Sequence, residues 1–208
     1  MTIRALILVD IQNDFCPGGA LAVPGGDEVV GVANRLMAAG VFDVVVATRD
    51  WHPAGHGSFA SRHAGKAVGD TVDLAGLPQF LWPDHCVQST RGAEFAVGLN
   101  RARIDAVIHK GVDPDVDSYS GFFDNARRHA TGLADTLRQR NVTDVYIMGL
   151  ATDYCVKATA LDAASLGFRT HLLLDGCRGV NVHEGDVDQA VEDMSRAGVA
   201  ILTSENIR

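Results

Sequence analysis

Short apolar runs that do not alternate with polar residues recur along this chain: Ile3–Val9, Val41–Thr48, Ala106–His109, Val142–Leu150, Thr170–Leu174 and Val199–Leu202. A strand with one wet face alternates apolar and polar residues, whereas a strand covered on both faces reads as a continuous run. Between the runs lie helical patterns. Asp27–Ala39 places Val29, Val32, Ala33, Leu36 and Met37 on one stripe and stops at Gly40. Gly132–Arg140, the alanine-rich Val156–Leu166 before Gly167, and Glu184–Arg196 follow the same spacing. Strand–helix alternation of this kind predicts an α/β fold, a six-stranded and mainly parallel sheet with helices on both faces. No internal repeat or linker divides the chain, so residues 1–208 are expected to form one domain.

The bulk numbers exclude several functions. Apolar residues are 47% and charged residues 21% of the chain, which is ordinary for a globular protein and rules out wholesale disorder. The net charge of −8, with Lys and Arg scattered, argues against a nucleic-acid partner. No apolar run approaches the roughly 20 residues of a membrane helix. Ile3–Val9 has no basic region or cleavage site before it, and Cys16, Cys86, Cys155 and Cys177 contain no CxxC pair. A cytoplasmic protein with free thiols is the expectation; the sequence assigns no oligomeric state.

Chemistry gathers where the strands end. Asp10 closes the first run, Asp50 follows the second, Lys110 closes the third, Cys155 lies just past the fourth and Asp175 closes the fifth. In open α/β sheets, ligands bind outside the carboxyl ends of the strands. The segment Thr152-Asp153-Tyr154-Cys155 is expected to put the Cys155 thiol in the first turn of a helix capped by Thr152, where the helix dipole favours thiolate. A nucleophile there needs a base and a cation, and Asp10 and Lys110 are of the right types. Asp10 can equally cap the turn that follows it.

A second constellation lies in residues 49–105, a stretch rich in Gly, Pro and His with little periodicity. Asp50 and His52 are two apart in an extended segment and face one way; His56 would have to reach the same point by a loop turn, and His85 comes later. Carboxylate and imidazole ligands suit zinc, manganese or ferrous iron, and so few protein ligands leave positions open.

Several segments resemble one enzyme family in order. They are Val9-Asp10-Ile11-Gln12-Asn13-Asp14-Phe15-Cys16, Arg49-Asp50-Trp51-His52-Pro53, Trp82-Pro83-Asp84-His85-Cys86, Lys110-Gly111, Asp117-Ser118-Tyr119-Ser120-Gly121-Phe122-Phe123 and Gly149-Leu150-Ala151-Thr152-Asp153-Tyr154-Cys155. Together they resemble nicotinamidases, also called pyrazinamidases, a branch of the isochorismatase-like cysteine hydrolases. The resemblance implies hydrolysis of nicotinamide to nicotinate and ammonia, and of pyrazinamide to pyrazinoate, through a cysteine thioester, as part of NAD recycling. It implies Cys155 as nucleophile, Asp10 as its base and Lys110 as the neighbouring cation. Asp50, His52 and His85 would hold one divalent metal, zinc foremost, iron or manganese otherwise, with His56 a further ligand in some members. Phe15, Trp82 and Tyr119 would pack on the substrate ring, with Leu21 in the same pocket. A cis peptide before Ala151 and an oxyanion hole from the Ala151 and Cys155 N–H groups are also implied. Tyr154 stands where some relatives carry histidine. The only partner implied is the small-molecule substrate.

Overall fold

The computed structural model describes residues 2–207. Its main sheet has the order β5-β2-β1-β6-β7-β8, formed by Arg4–Val9 (β1), Val44–Asp50 (β2), Ala106–Lys110 (β5), Asp144–Leu150 (β6), Arg169–Arg178 (β7) and Ala200–Leu202 (β8). Every pairing in it is parallel. The helices are Glu28–Ala38 (α1), Leu133–Gln139 (α2), Lys157–Ser165 (α3) and Asp186–Arg196 (α4). Side chains on a strand point alternately to the two faces. Ala5–Val9 of β1 are all inaccessible, and all seven positions of β6 are buried, so both faces of the central strands are covered.

The chain runs outward from β1 through β2 to β5, then returns to place β6 on the other side of β1. The strand order therefore reverses between β1 and β6, and the crevice at their carboxyl ends is where such sheets take ligands. Gly149 lets these two strands meet closely at that end. Its φ is +127°, and a Cβ there would lie 2.1 Å from the Val9 carbonyl oxygen.

Three expectations change. Strand β7 runs to Arg178, well past Leu174, because its register against β6 shifts between Ile147 and Gly149 and pairing resumes at Cys177 and Arg178. Asp175 consequently lies within the strand and away from the crevice, accepting from the Ser204 N–H at 2.7 Å and the Ser204 hydroxyl at 2.5 Å. Residues 49–105 also contain an antiparallel ribbon, Thr71–Leu74 (β3) with Leu77–Phe80 (β4), that the sequence pattern does not announce. Pro78 and Gln79 interrupt the second strand, and neither strand carries a continuous apolar run.

Candidate active site

Lys110 is the hub of the crevice. Its side chain is fully buried, and Nζ lies 2.9 Å from Asp10 Oδ2, 2.7 Å from Asp50 Oδ1, 2.8 Å from the Ser118 carbonyl oxygen and 3.4 Å from Cys155 Sγ. Burial works against the charge on Lys110, but the Asp10 and Asp50 carboxylates outweigh it and hold its pKa well above the lysine value. The Asp10 and Asp50 carboxylates end up on opposite sides of normal. Burial lifts the Asp10 pKa despite Lys110. For Asp50 burial is likewise the largest influence, but Lys110 and His52 overcome it and keep the group ionised. Asp10 is further fixed by the Thr48 hydroxyl, which donates to its Oδ1 at 2.6 Å.

Cys155 sits in a single π turn, Thr152–Val156, that precedes α3. The cap position falls on Ala151, and Thr152 is already the first residue of the turn, so the expected Thr152 cap is absent. The resting thiolate is not favoured either. Burial raises the Cys155 pKa well above the thiol value, Lys110 lowers it only in part, and Asp10 and Asp50 raise it again. The dipole of one short turn does not offset the loss of water around a fully buried sulfur. The peptide between Leu150 and Ala151 is cis.

Asp50, His52 and His85 converge beside this cluster. His52 Nε2 is 3.3 Å and His85 Nε2 3.5 Å from Asp50 Oδ2. Each imidazole is held from behind by a backbone carbonyl: His52 Nδ1 lies 2.9 Å from the Gly111 oxygen and His85 Nδ1 2.8 Å from the Pro83 oxygen. A carbonyl only accepts, so both Nδ1 atoms carry hydrogen and both Nε2 lone pairs face the same point. Such a donor set fits a divalent cation. Gly111 permits this approach, since a Cβ on it would lie 2.5 Å from His52 Cε1.

His56 lies tilted against His52, with ring centroids 4.3 Å apart, and with Asp117 it forms a second group of candidate ligands around that residue. Its protonation pattern is the reverse of the other two. The Ser58 N–H donates to His56 Nδ1 at 3.1 Å, so the hydrogen of the neutral ring belongs on Nε2. That Nε2 is buried and has no hydrogen-bond partner. Burial and His52 both push the His56 pKa down, which keeps the ring neutral.

Above these groups opens a small, narrow cavity. Phe15, Leu21, Trp82 and Tyr119, which the resemblance places in the pocket, line it together with Ala151, Tyr154 and Val180. Trp82 Nε1 donates to the Tyr119 hydroxyl at 3.1 Å, and Tyr154 meets Trp82 edge-on with ring centroids 4.9 Å apart. Burial and Asp117 raise the Tyr119 pKa and keep its hydroxyl neutral. Four contributors carry no role in the sequence reading: Thr48, Gln79, Asp117 and Val180. Asp117 lies inside one of the family-like segments, but Gln79, whose amide donates to Asp117 Oδ2 at 3.0 Å, comes from the β3–β4 ribbon.

Residues 4–206 match the model of the isochorismatase domain. The chain belongs to the isochorismatase family. Among its relatives in that family, the nicotinamidase of Escherichia coli is 54% identical over 202 residues, covering 96% of this chain and 94% of the relative. The solved structure of the Acinetobacter baumanii nicotinamidase and pyrazinamidase superposes with a TM-score of 0.95 at 41% identity, covering 100% of this chain and 99% of that one. The Pyrococcus horikoshii pyrazinamidase, solved in complex with zinc, gives a TM-score of 0.76 at 42% identity over 96% of this chain and 98% of that one.

Proposed function

We propose that this member of the isochorismatase family hydrolyses nicotinamide to nicotinate and ammonia, and pyrazinamide to pyrazinoate. The observation that carries the reading is the buried meeting of Lys110 with Asp10, Asp50 and Cys155, beside an imidazole pair and under an aromatic-walled cavity. Similarity to nicotinamidases over nearly the whole chain supports the substrate.

The chain's own residues account for the proton traffic. Burial raises the pKa of Asp10, which makes it a stronger base towards the Cys155 thiol than an ordinary carboxylate, while burial makes that thiol a weaker acid. Asp10 takes the thiol proton as Sγ attacks the carboxamide carbon, and Lys110 offsets the charge left on the pair. The new oxyanion is met by the N–H groups of Ala151 and Cys155, where each such donor is typically worth about 2.7–4 kcal/mol. Asp10 returns the proton to the leaving nitrogen, the C–N bond breaks, and ammonia departs from a thioester. Water then attacks the thioester, Asp10 accepts its proton, and the sulfur leaves to be reprotonated. The ring lies between Phe15, Trp82 and Tyr119, with Leu21 at its edge.

Asp50, His52 and His85 would hold a divalent metal, zinc in our reading, which supplies a Lewis acid that anchors and polarises the substrate ring. The zinc complex of the Pyrococcus horikoshii relative supports that choice. We leave His56 outside the ligand set, because its Nε2 carries hydrogen rather than a lone pair. Ammonia release from nicotinamide by the purified protein, before and after chelation and metal restoration, tests the reading. Release that falls on chelation and returns with zinc is expected; none from folded, metal-replete protein would overturn it.

A further inference from the structure

Most of the cavity wall is buried. The half-buried residues Leu21, Tyr119, Tyr154 and Val180 form its mouth. Of these, Val180 is carried on the exposed connection from β7 to α4, where residues 181–185 are all open to solvent. The Asp153 side chain holds the start of that connection down. Asp153 Oδ1 accepts the Val180 N–H at 3.0 Å, and its Oδ2 accepts the Asn181 N–H at 2.7 Å. Asp153 belongs to the same π turn as Cys155, so a single turn carries the sulfur and the anchor of the opposite wall. The fit is close on both sides. A Cβ on Gly179 would lie 2.1 Å from Val187 Cγ2 and 3.1 Å from Asp153 Oδ1. Asn181 has a left-handed φ of +56°, and its Oδ1 accepts the Val187 N–H at the start of α4 at 3.3 Å.

We infer that Asp153 is a positioning residue for substrate size: by pinning residues 180 and 181 it presses Val180 onto the mouth and restricts the pocket to slim ring carboxamides. The inference rests on the ring-carboxamide reading above. With the carboxamide at Cys155 and the ring nitrogen towards Asp50 and the histidines, the ring carbon opposite that edge faces the mouth. In nicotinamide this is position 5. Substituents there meet Val180 and Tyr154, both uncharged; burial, Asp153 and Asp186 push the Tyr154 hydroxyl up to about 12, so it stays neutral.

The test compares nicotinamide with 5-methyl- and 5-phenylnicotinamide for the wild type, Val180→Ala and Asp153→Asn. Asn keeps one acceptor oxygen and loses the other, which loosens the wall without emptying the position. For Val180→Ala, kcat/KM for the 5-substituted amides relative to nicotinamide should rise by about tenfold or more, the usual worth of methyl-scale room in a pocket. Asp153→Asn should move the same ratio in the same direction and raise KM for nicotinamide, with kcat within about threefold of wild type. An unchanged ratio in folded Val180→Ala would overturn the inference. So would a fall in kcat at unchanged KM in Asp153→Asn, which would place the role of Asp153 on the sulfur's turn instead. If Asp153→Asn does not fold, the Val180→Ala ratio decides. Calorimetric binding of nicotinate and 5-phenylnicotinate to the same proteins reads the mouth without turnover. A wild type that hydrolyses no nicotinamide yet shows the binding contrast would sink the functional reading and leave the inference standing.

Discussion

At the scale of single residues, the site works through burial as much as through reactivity. Cys155, Asp10 and Lys110 are all inaccessible or nearly so, and water screens none of their interactions. Burial outweighs Lys110 and raises the Cys155 pKa, so the proposed attack needs a base rather than a preformed thiolate. Cys155→Ala should lower nicotinamide turnover by more than about a thousandfold while metal content by elemental analysis stays at the wild-type level. Turnover retained in that variant would remove Cys155 from the nucleophile's role. Gly111→Ala is expected to strike the other half of the site. Its Cβ would collide with His52, turn the ring from the Gly111 carbonyl and reduce bound metal, which elemental analysis reads directly. Metal uptake should also depend on pH in a definite sense. Burial alone lowers the His52 pKa, yet Asp50 outweighs it and raises the value above 6.5. A proton therefore competes for Nε2 at a pH where ordinary histidine is already neutral, and metal affinity should fall as pH drops through that raised pKa, as a competitive chelator titration would show.

At the scale of elements, the strands follow from apolar continuity, and their ends follow from contacts the sequence does not display. Runs such as Ile3–Val9 were legible because their central side chains, Ala5–Val9, are all buried. The extension of β7 past Leu174 was not, since Asp175 and Gly176 look like a stop and the pairing resumes only after a shift of register. The base of the sheet holds a group that the reaction does not use. His171 on β7 stacks on Tyr146 of β6 with centroids 4.3 Å apart, and neither of its buried ring nitrogens has a hydrogen-bond partner. Asp144 at 3.7 Å tends to raise its pKa, but burial dominates and lowers it from 6.5. The native state then favours neutral His171. The stability it contributes is present above the unfolded value near 6.5 and is lost as pH falls below it, because the unfolded chain takes up the proton first. His171→Phe should flatten the loss of the urea midpoint between pH 7.5 and pH 5.5, a window of about one unit either side of that value. A variant as acid-sensitive as wild type would show that the destabilising proton goes elsewhere.

For the molecule as a whole, the strand order gathers residues from the first turn after β1 to the turn after β6 into one crevice. The proposed metal ligands come from β2 and the long segment after it, so an ion bound there would tie these parts of the chain together. A ligand that binds only the folded state stabilises by mass action, about 2.7 kcal/mol at a hundredfold excess over its dissociation constant. Chelation should therefore lower the melting temperature by several degrees, and zinc should restore it. No shift on stripping the ion, verified by elemental analysis, would argue against a site assembled from these three residues.

Fold class and the types of reactive group followed from the sequence alone, because periodicity and composition are local properties that each segment carries by itself. The β1 and β6 crevice, the Lys110 hub and the tautomer of His52 were decided only by the tertiary structure. Each depends on which carbonyl, carboxylate or N–H comes to lie within about 3 Å of a side chain distant in sequence, and hydrogen bonds fall off steeply beyond that distance. Thr48, Gln79 and Val180 acquire their places in the site in the same way. A threonine on a strand, a glutamine on a short ribbon and a valine beside an exposed connection carry no chemical signal of their own; their position against Asp10, Asp117 and the cavity mouth supplies it.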